Sequence, residues 1–235
     1  MGLTIHYSVN FNGTKEQLAL KLDEIRNKCR DLPFEEVGEV KINQITQDII
    51  DIFDNLQNKY SYPHNMMENL SKRDKIMEKL GISTWQMIIY NSMIHNSLDE
   101  KVGEYKDPYL ISLSLFPGEG CENSDLDFYQ IRKNRFYFKR FCKTQYSENF
   151  VKDHLLVIKL MDMLKENGFE VTVYDEGGYW ETRDIKILAE NINMSTQLLM
   201  SVFEDLKTQY NGITIESNIE KSKNFIKVNE KNSQK

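Results

Sequence analysis

The chain has 235 residues, of which 40% are hydrophobic and 28% are charged, and this composition is typical of a soluble protein with one domain or two small ones. It has no apolar run of about 18 residues, so we expect neither a membrane span nor a membrane partner. The formal net charge of −6 argues against general binding to nucleic acid, although it does not rule out a local basic surface.

The first predicted element is a half-buried strand over residues 3–11, in which apolar and polar residues alternate. The segment lacks the basic flank and apolar block of a signal peptide. Apolar side chains at helical spacing then predict a helix over about 14–32, which Pro33 ends. Residues 37–42 are predicted to form a short second strand.

A helical insertion is predicted at about 44–100. Its first helix has apolar residues on one face, namely Ile45, Ile49, Ile52, Phe53 and Leu56. Two further short helices are predicted near 68–80 and 83–97. The insertion separates the first strands from a second half that is rich in strands.

The second half combines strands and helices without a regular βαβ alternation. In chain order, we predict strands over 109–116, 126–131 and 135–146, a helix over 150–167, a strand over 169–174, helices near 182–192 and 195–210, and a flexible polar tail over 216–235. This order favours a single α+β domain over residues 1–215, with a mainly antiparallel sheet and helices packed on one face.

Three polar motifs stand at predicted strand ends, where binding and catalytic groups are often found. They read FPGEGCE at 116–122, FCKTQY at 141–146 and DEGGYWETRD at 175–184. The third motif brings four carboxylates, an arginine and two aromatic residues into ten positions around a glycine pair. These motifs predict where a site lies, but they do not identify a reaction.

Together with MGLTIHY at 1–7, LPFEEVGEV at 32–40 and the pair His154-Leu155, these motifs resemble a family of uncharacterised bacterial proteins. The resemblance covers residues 1–40 and 109–210, and it implies no particular activity. The chain departs from the family pattern over residues 41–108. It also has Gly178 where an acidic residue is more usual, which argues against a carboxylate role at that position.

Carboxylates are the first candidates for catalysis. If the two acidic loops lie at the same end of the sheet, their carboxylates would raise one another's pKa or bind a divalent metal such as Mg²⁺, as in a hydrolase. The candidate catalytic carboxylates are Glu119, Glu122, Asp175 and Glu176. Glu181 and Asp184 have a second explanation, because negative charge in a helix's first turn favours the helix dipole.

Cysteine and histidine give weaker signals. The three cysteines are an odd number, so we expect free thiols in a reducing compartment, the cytoplasm. The spacing of Cys121, Cys142 and His154 matches no standard zinc site. Cys121 is the better nucleophile, since strand alternation places Cys142 beside phenylalanines. His154 is a candidate base, although a histidine on such an apolar helix face is more often a hydrogen-bonded packing residue.

Candidate substrate-binding residues are polar or aromatic members of the second and third motifs, namely Lys143, Gln145, Tyr146, Tyr179, Trp180 and Arg183. They would suit a small anionic partner. Trp180 would either stack on a ligand or anchor its loop, and we expect it to be largely buried against the 150–167 helix. We expect Arg183 to pair with a carboxylate from 119–122 or 175–176.

The strand at 132–143 carries basic and aromatic residues on a single face, namely Arg135, Tyr137, Lys139, Phe141 and Lys143. Aromatic faces stack nucleic-acid bases while cations hold phosphates. An exposed edge strand protected from aggregation by lysine and arginine has the same pattern.

Three functions therefore remain open at the level of sequence. The first is an enzyme that uses convergent carboxylates for acid–base or metal-assisted chemistry on a small anionic substrate. The second is a module that binds a nucleotide or single-stranded nucleic acid through the 132–143 strand. The third is a protein-interaction role in which the charged motifs hold loops together. The sequence does not indicate an oligomeric state.

Overall fold

The computed structural model describes residues 3–60, 66–96, 106–195 and 197. Nearly all of the predicted helix at 195–210, and the whole predicted tail at 216–235, lie outside the described residues. Within the described part of the chain, no helix combines the length and the hydropathy that crossing a bilayer requires.

The described elements follow the predicted order closely. The strands are β1 (Thr4–Asn12), β2 (Glu36–Gln44), β3 (Tyr109–Phe116), β4 (Leu126–Arg132), β5 (Arg135–Lys143) and β6 (Glu170–Asp175). The helices are α1 (Lys15–Arg30), α2 (Gln47–Tyr60), α3 (Met66–Lys79), α4 (Thr84–Asn96), α5 (Phe150–Glu166) and α6 (Tyr179–Thr182), followed by α7 at 185–195.

The six strands form one sheet in the order β2-β3-β4-β5-β1-β6, and every adjacent pair is antiparallel. The prediction of an α+β domain with a mainly antiparallel sheet is therefore confirmed. The first strand of the chain lies between β5 and β6, where His6 is the Cα partner of both Phe141 and Tyr174. This register places the ends of β5 and β6 on either side of the start of β1.

One face of the sheet packs against α1 and α5. Phe128 and Phe138 meet edge to face on this side with ring centroids 4.6 Å apart, and Phe169, just after α5, lies 5.5 Å from Phe128. Such aromatic pairs bury large apolar areas and favour this tilted geometry. α1 begins at a capping box formed by Thr14 and Gln17, which satisfies two backbone donors at its first turn.

The predicted helical insertion is confirmed, and α4 packs against the opposite face of the sheet. Tyr129 follows Phe128 in β4, so strand alternation directs it to the opposite side. There its ring stacks on Tyr90 at 6.1 Å, and its hydroxyl donates to the Gln86 carbonyl oxygen at 2.9 Å. On this same side β5, β1 and β6 present exposed side chains, including Phe141 and Tyr174. We call that surface the open sheet face.

Candidate functional site

His154 is the centre of a buried hydrogen-bond network under the third motif. Its Nδ1 lies 2.9 Å from the Thr144 hydroxyl, and its Nε2 lies 3.2 Å from Asp175 Oδ2. Both Thr144 and His154 are fully buried. An ionised carboxylate only accepts hydrogen bonds, so we assign the proton on Nε2 to the bond with Asp175. The network links α5, β6 and the segment after β5.

Asp175 also organises the glycine turn that follows it. Its carboxylate accepts hydrogen bonds from the backbone N–H groups of Gly177 at 2.7 Å, Tyr179 at 2.8 Å and Trp180 at 3.0 Å. Burial raises the pKa of Asp175, but the bonds from His154 and from the backbone outweigh it and hold the pKa below its ordinary value. A buried carboxylate whose acceptors are occupied in this way stabilises the turn from Asp175 into α6.

Two of the other three candidate carboxylates accept hydrogen bonds from backbone N–H groups of different strands. Glu176 accepts from the Thr4 backbone N–H at 2.9 Å. Glu122 accepts from the Lys143 backbone N–H at 2.9 Å. Glu119 is exposed, and its own backbone N–H donates to Glu35 at 3.3 Å. Over the described residues, no three His, Cys, Asp or Glu side chains are grouped so that they could hold a metal ion.

The candidate substrate-binding residues of the second motif are divided between interior and surface. Gln145 is buried, and its side-chain oxygen accepts from the Leu3 backbone N–H at 2.9 Å. Tyr146 is 41% exposed, and the Lys143 ammonium lies 6.0 Å from its ring centroid. Gln145 therefore fastens the start of β1, while Lys143 and Tyr146 remain within reach of solvent.

One expectation for the third motif is wrong, and it concerns Arg183. Arg183 pairs with Asp162 of α5, through bonds of 2.7 and 2.8 Å, and not with a carboxylate of either acidic loop. Trp180 packs partly buried against the core, and the Arg183 guanidinium lies over its ring, 4.5 Å from the centroid. A long side chain leaving a turn can reach several carboxylates, and here α5 offers one in bidentate geometry.

A cavity of about 530 Å³ lies between α4 and β5. Its lining includes Trp85 and Gln86 from α4, Cys121 and Asp127 from β4 and the loop before it, and Lys139 and Phe141 from β5. We call it the α4–β5 cavity. Trp85 is 49% exposed and Phe141 is 42% exposed, so two large rings face solvent at one concave surface. A pocket with apolar rings and a few polar groups is the usual form of a small-molecule site.

Charged groups in the cavity are joined by Arg140. Its guanidinium contacts Asp127 at 2.7 Å and Asp125 at 3.0 Å, and Gln86 donates to Asp127 at 2.7 Å. Burial raises the pKa of Asp127 to about 6, even though Arg140 and Gln86 oppose the shift. The Arg140 guanidinium is shared by two carboxylates, so it does not fully offset the burial of Asp127. A carboxyl that titrates near neutrality inside a cleft is typical of functional sites.

A row of rings crosses the open sheet face from this cavity. The His6 ring lies 6.0 Å from that of Phe141 and 5.9 Å from that of Tyr174, which is 65% exposed. These three residues are register partners on β5, β1 and β6. The predicted basic and aromatic face of β5 is thus partly accessible to a ligand.

The sequence interpretation missed Trp85, Gln86, Asp125 and Asp127. One signal was available for the acids, since Arg140 falls among phenylalanines in the β5 alternation and a buried arginine needs an acidic partner. No comparable signal identified α4 as a wall of a cavity, because the apolar residues of this helix are not confined to one face.

A scan against protein-family models, a search of curated proteins and a search of solved structures found no match to this chain. The resemblance to uncharacterised bacterial proteins therefore stays a prediction.

Proposed function

We propose that the protein binds a nucleotide in the α4–β5 cavity. The observation that carries the proposal is the pairing of two exposed rings, Trp85 and Phe141, in one cavity that also includes Lys139. A nucleotide is a small anionic molecule with a planar base. The base offers a partner to the two aromatic rings, and the phosphate offers a partner to Lys139.

The energetic argument starts from the rings. Stacking a nucleobase on an aromatic side chain contributes about 1–3 kcal/mol per base. Trp85 and Phe141 come from α4 and β5, two elements held together through Gln86, Asp127 and Arg140. Because the walls are fixed before binding, little ordering is needed when a base enters.

The polar groups give the cavity a basis for selectivity. Lys139 is exposed and supplies a positive charge for a phosphate. The Gln86 amide has a second hydrogen beyond the one it donates to Asp127, and this hydrogen is a donor for the edge of a base. Asp125 and Asp127 offset the positive charge of Arg140. A short ligand with few phosphates is therefore favoured over a long polyanion, and the acidic net charge of the chain favours it too.

The test uses fluorescence from Trp85. The chain has two tryptophans, so Trp180→Phe leaves Trp85 as the reporter. Titrating this variant with mononucleotides, with a dinucleoside monophosphate and with an oligonucleotide of uracil, at low salt, should give a saturable change for the short ligands. Phe141→Ala should weaken binding about tenfold, which corresponds to about 1.4 kcal/mol of lost stacking.

Tyr146→Ala is the matched control, since Tyr146 has a similar exposure but does not line the cavity. Inorganic phosphate tests whether charge alone is recognised. The proposal is rejected if no nucleotide gives a saturable change, or if Phe141→Ala and Tyr146→Ala bind equally well. Strong, salt-dependent binding of the oligonucleotide alone would instead indicate a single-stranded nucleic-acid module.

A second candidate, an acid–base enzyme, is favoured by Asp127, whose pKa of about 6 suits proton transfer near neutrality. In that case Asp127→Asn would abolish turnover of the nucleotide but not its binding. We also propose a cytoplasmic location, because the three cysteines of the described residues are free thiols.

A further inference from the structure

Two of the three cysteines lie in direct contact at the edge of the α4–β5 cavity. The sulfurs of Cys121 and Cys142 are 3.7 Å apart. Cys142 is fully buried near the end of β5, whereas Cys121 is half-buried in the loop before β4 and contributes to the cavity lining. One thiol of the pair is therefore reachable from solvent and the other is not.

Backbone hydrogen bonds on both sides hold this contact in place. The residue after Cys121 is Glu122, whose N–H donates to the Lys143 carbonyl oxygen at 3.1 Å. Lys143, which follows Cys142, donates its own N–H to the Glu122 carboxylate at 2.9 Å. The Cys121 N–H also closes a turn by donating to Gly118 at 3.0 Å. The two sulfurs are thus neighbours because their chain segments are bonded together.

We propose that Cys121 and Cys142 form a reversible disulfide when the protein meets a hydroperoxide. Cys121 reacts first because its sulfur can be approached through the cavity, and Cys142 then resolves the oxidised Cys121. A sulfur–sulfur bond is about 2.05 Å long, so the sulfurs must approach by roughly 1.6 Å, which rotation of the loop side chain can supply.

The chemistry balances without any further reactant. The Cys121 thiol gives up its proton and its sulfur attacks the terminal oxygen of the hydroperoxide. The O–O bond breaks, the alkoxide leaves as an alcohol with that proton, and Cys121 becomes a sulfenic acid. The Cys142 sulfur then attacks the Cys121 sulfur, the S–O bond breaks, and hydroxide leaves as water with the Cys142 proton. Two thiols are oxidised to one disulfide, and the hydroperoxide is reduced to an alcohol and water.

The environment of the pair suits this division of roles. The Cys142 thiol donates to the Glu122 carbonyl oxygen at 3.1 Å. Its hydrogen bond with Cys121 and its burial raise the pKa of Cys142 well above the ordinary value, so it stays protonated until the sulfenic acid forms. A thiol that is shielded but adjacent is what a resolving cysteine requires. In a reducing compartment such a disulfide is transient, which is typical of redox-sensing pairs.

The test treats the full chain with hydrogen peroxide near equimolar amounts, then alkylates the remaining thiols and maps peptides without reduction. The expected result is a loss of two of the three thiols, a cross-link between the peptides of Cys121 and Cys142, and full reversal by dithiothreitol. The oxidised protein should melt higher than the reduced one by on the order of 5 °C.

Cys29→Ser is the matched control, because Cys29 is buried in α1 and has no part in the proposed pair, so the cross-link should form unchanged. Cys142→Ser should stop at a sulfenic acid on Cys121 that dimedone traps. The proposal is overturned if the parent protein loses no thiols, if it accumulates the dimedone adduct without a cross-link, or if the cross-link involves Cys29. These outcomes are read on the parent protein, so misfolding of a variant would not obscure them.

Discussion

The imidazole of His154 lies 3.2 Å from the carboxylate of Asp175, and both side chains are completely buried. Asp175 is at the end of β6, and its remaining acceptors are filled by backbone N–H groups of the turn that follows. The third motif therefore begins with a fixed structural anchor. The catalytic interpretation of these two residues would require solvent or substrate to reach a pair with no exposed surface.

Replacing Asp175 with Asn should lower the free energy of unfolding by about 3 kcal/mol and the melting temperature by about 10 °C. The physical reason is that the amide leaves buried donors of His154 and of the backbone without a carboxylate acceptor. Thermal unfolding followed by circular dichroism measures the change. Glu181→Gln, on an exposed carboxylate of the same motif, should melt within about 2 °C of the parent.

The same pair predicts how acid affects stability. The pKa of Asp175 is lower in the folded protein than in the unfolded chain, so its contribution is fully present above the unfolded value, about 4, and is lost as the pH falls through the folded value. Urea unfolding of the parent should therefore show a loss of stability below about pH 4 that is smaller in Asp175→Asn. Parallel curves for the two proteins would contradict this assignment.

Regular elements were predictable because their evidence is local. The alternation in residues 3–11 and 135–143 requires only neighbouring residues, and both strands form. Partners across the fold were not predictable in the same way. Gln86 and Asp127 are 41 residues apart in sequence, yet their hydrogen bond joins the two walls of the cavity.

The Arg183 error has the same origin. The sequence shows which carboxylates are near in the chain, and Asp175 and Glu176 are nearer to Arg183 than Asp162 is. Asp162 becomes its partner only because α5 packs beside β6. The contact between Cys121 and Cys142 could not be predicted for the same reason, because Cys121 lies in a loop before β4 and is held there by hydrogen bonds between Glu122 and Lys143.

Arg183→Ala should cost only about 1 kcal/mol, since its pair with Asp162 is exposed to solvent and is therefore screened. Arg26→Ala is the matched comparison. Arg26 is 8% exposed, donates to the Gly38 carbonyl oxygen at 2.7 Å and also bonds Glu39. Its loss should cost about 2–3 kcal/mol, because the packing of the buried Arg26 stem is lost and the Gly38 carbonyl oxygen loses its donor. Urea denaturation should show a larger loss of stability for Arg26→Ala than for Arg183→Ala. The reverse order would show that Arg183 stabilises more of the fold than the turn in which it lies.

Nucleotide binding should strengthen as the pH falls from about 7.5 to about 5.5, because Asp127 takes up a proton over this range and the cavity loses one negative charge. The charged groups that face Asp127 are Arg140 and Asp125, and Lys139 also lines the cavity. We expect a gain of about three- to tenfold in affinity.

The probe for this measurement is the uracil dinucleoside monophosphate, whose single phosphodiester charge is constant over the range. In Asp127→Asn the charge is already absent, so affinity should be high at both pH values and nearly independent of pH. An equal pH dependence in the variant and the parent would show that Asp127 is not the group responsible.

Two glycines test how tightly the loop beside the cavity is held. Gly120 and Gly168 have nearly the same left-handed φ, +80° and +85°. A β-carbon on Gly168 would meet open space, so Gly168→Ala should cost only the strain of the left-handed conformation, about 1 kcal/mol. A β-carbon on Gly120 would overlap the backbone carbonyl of Tyr146, so the loop at 117–122 would have to move. Gly120→Ala should therefore cost at least about 3 kcal/mol. Urea midpoints measure the difference, and equal midpoints would mean that the loop shifts freely and does not fix Cys121 beside Cys142.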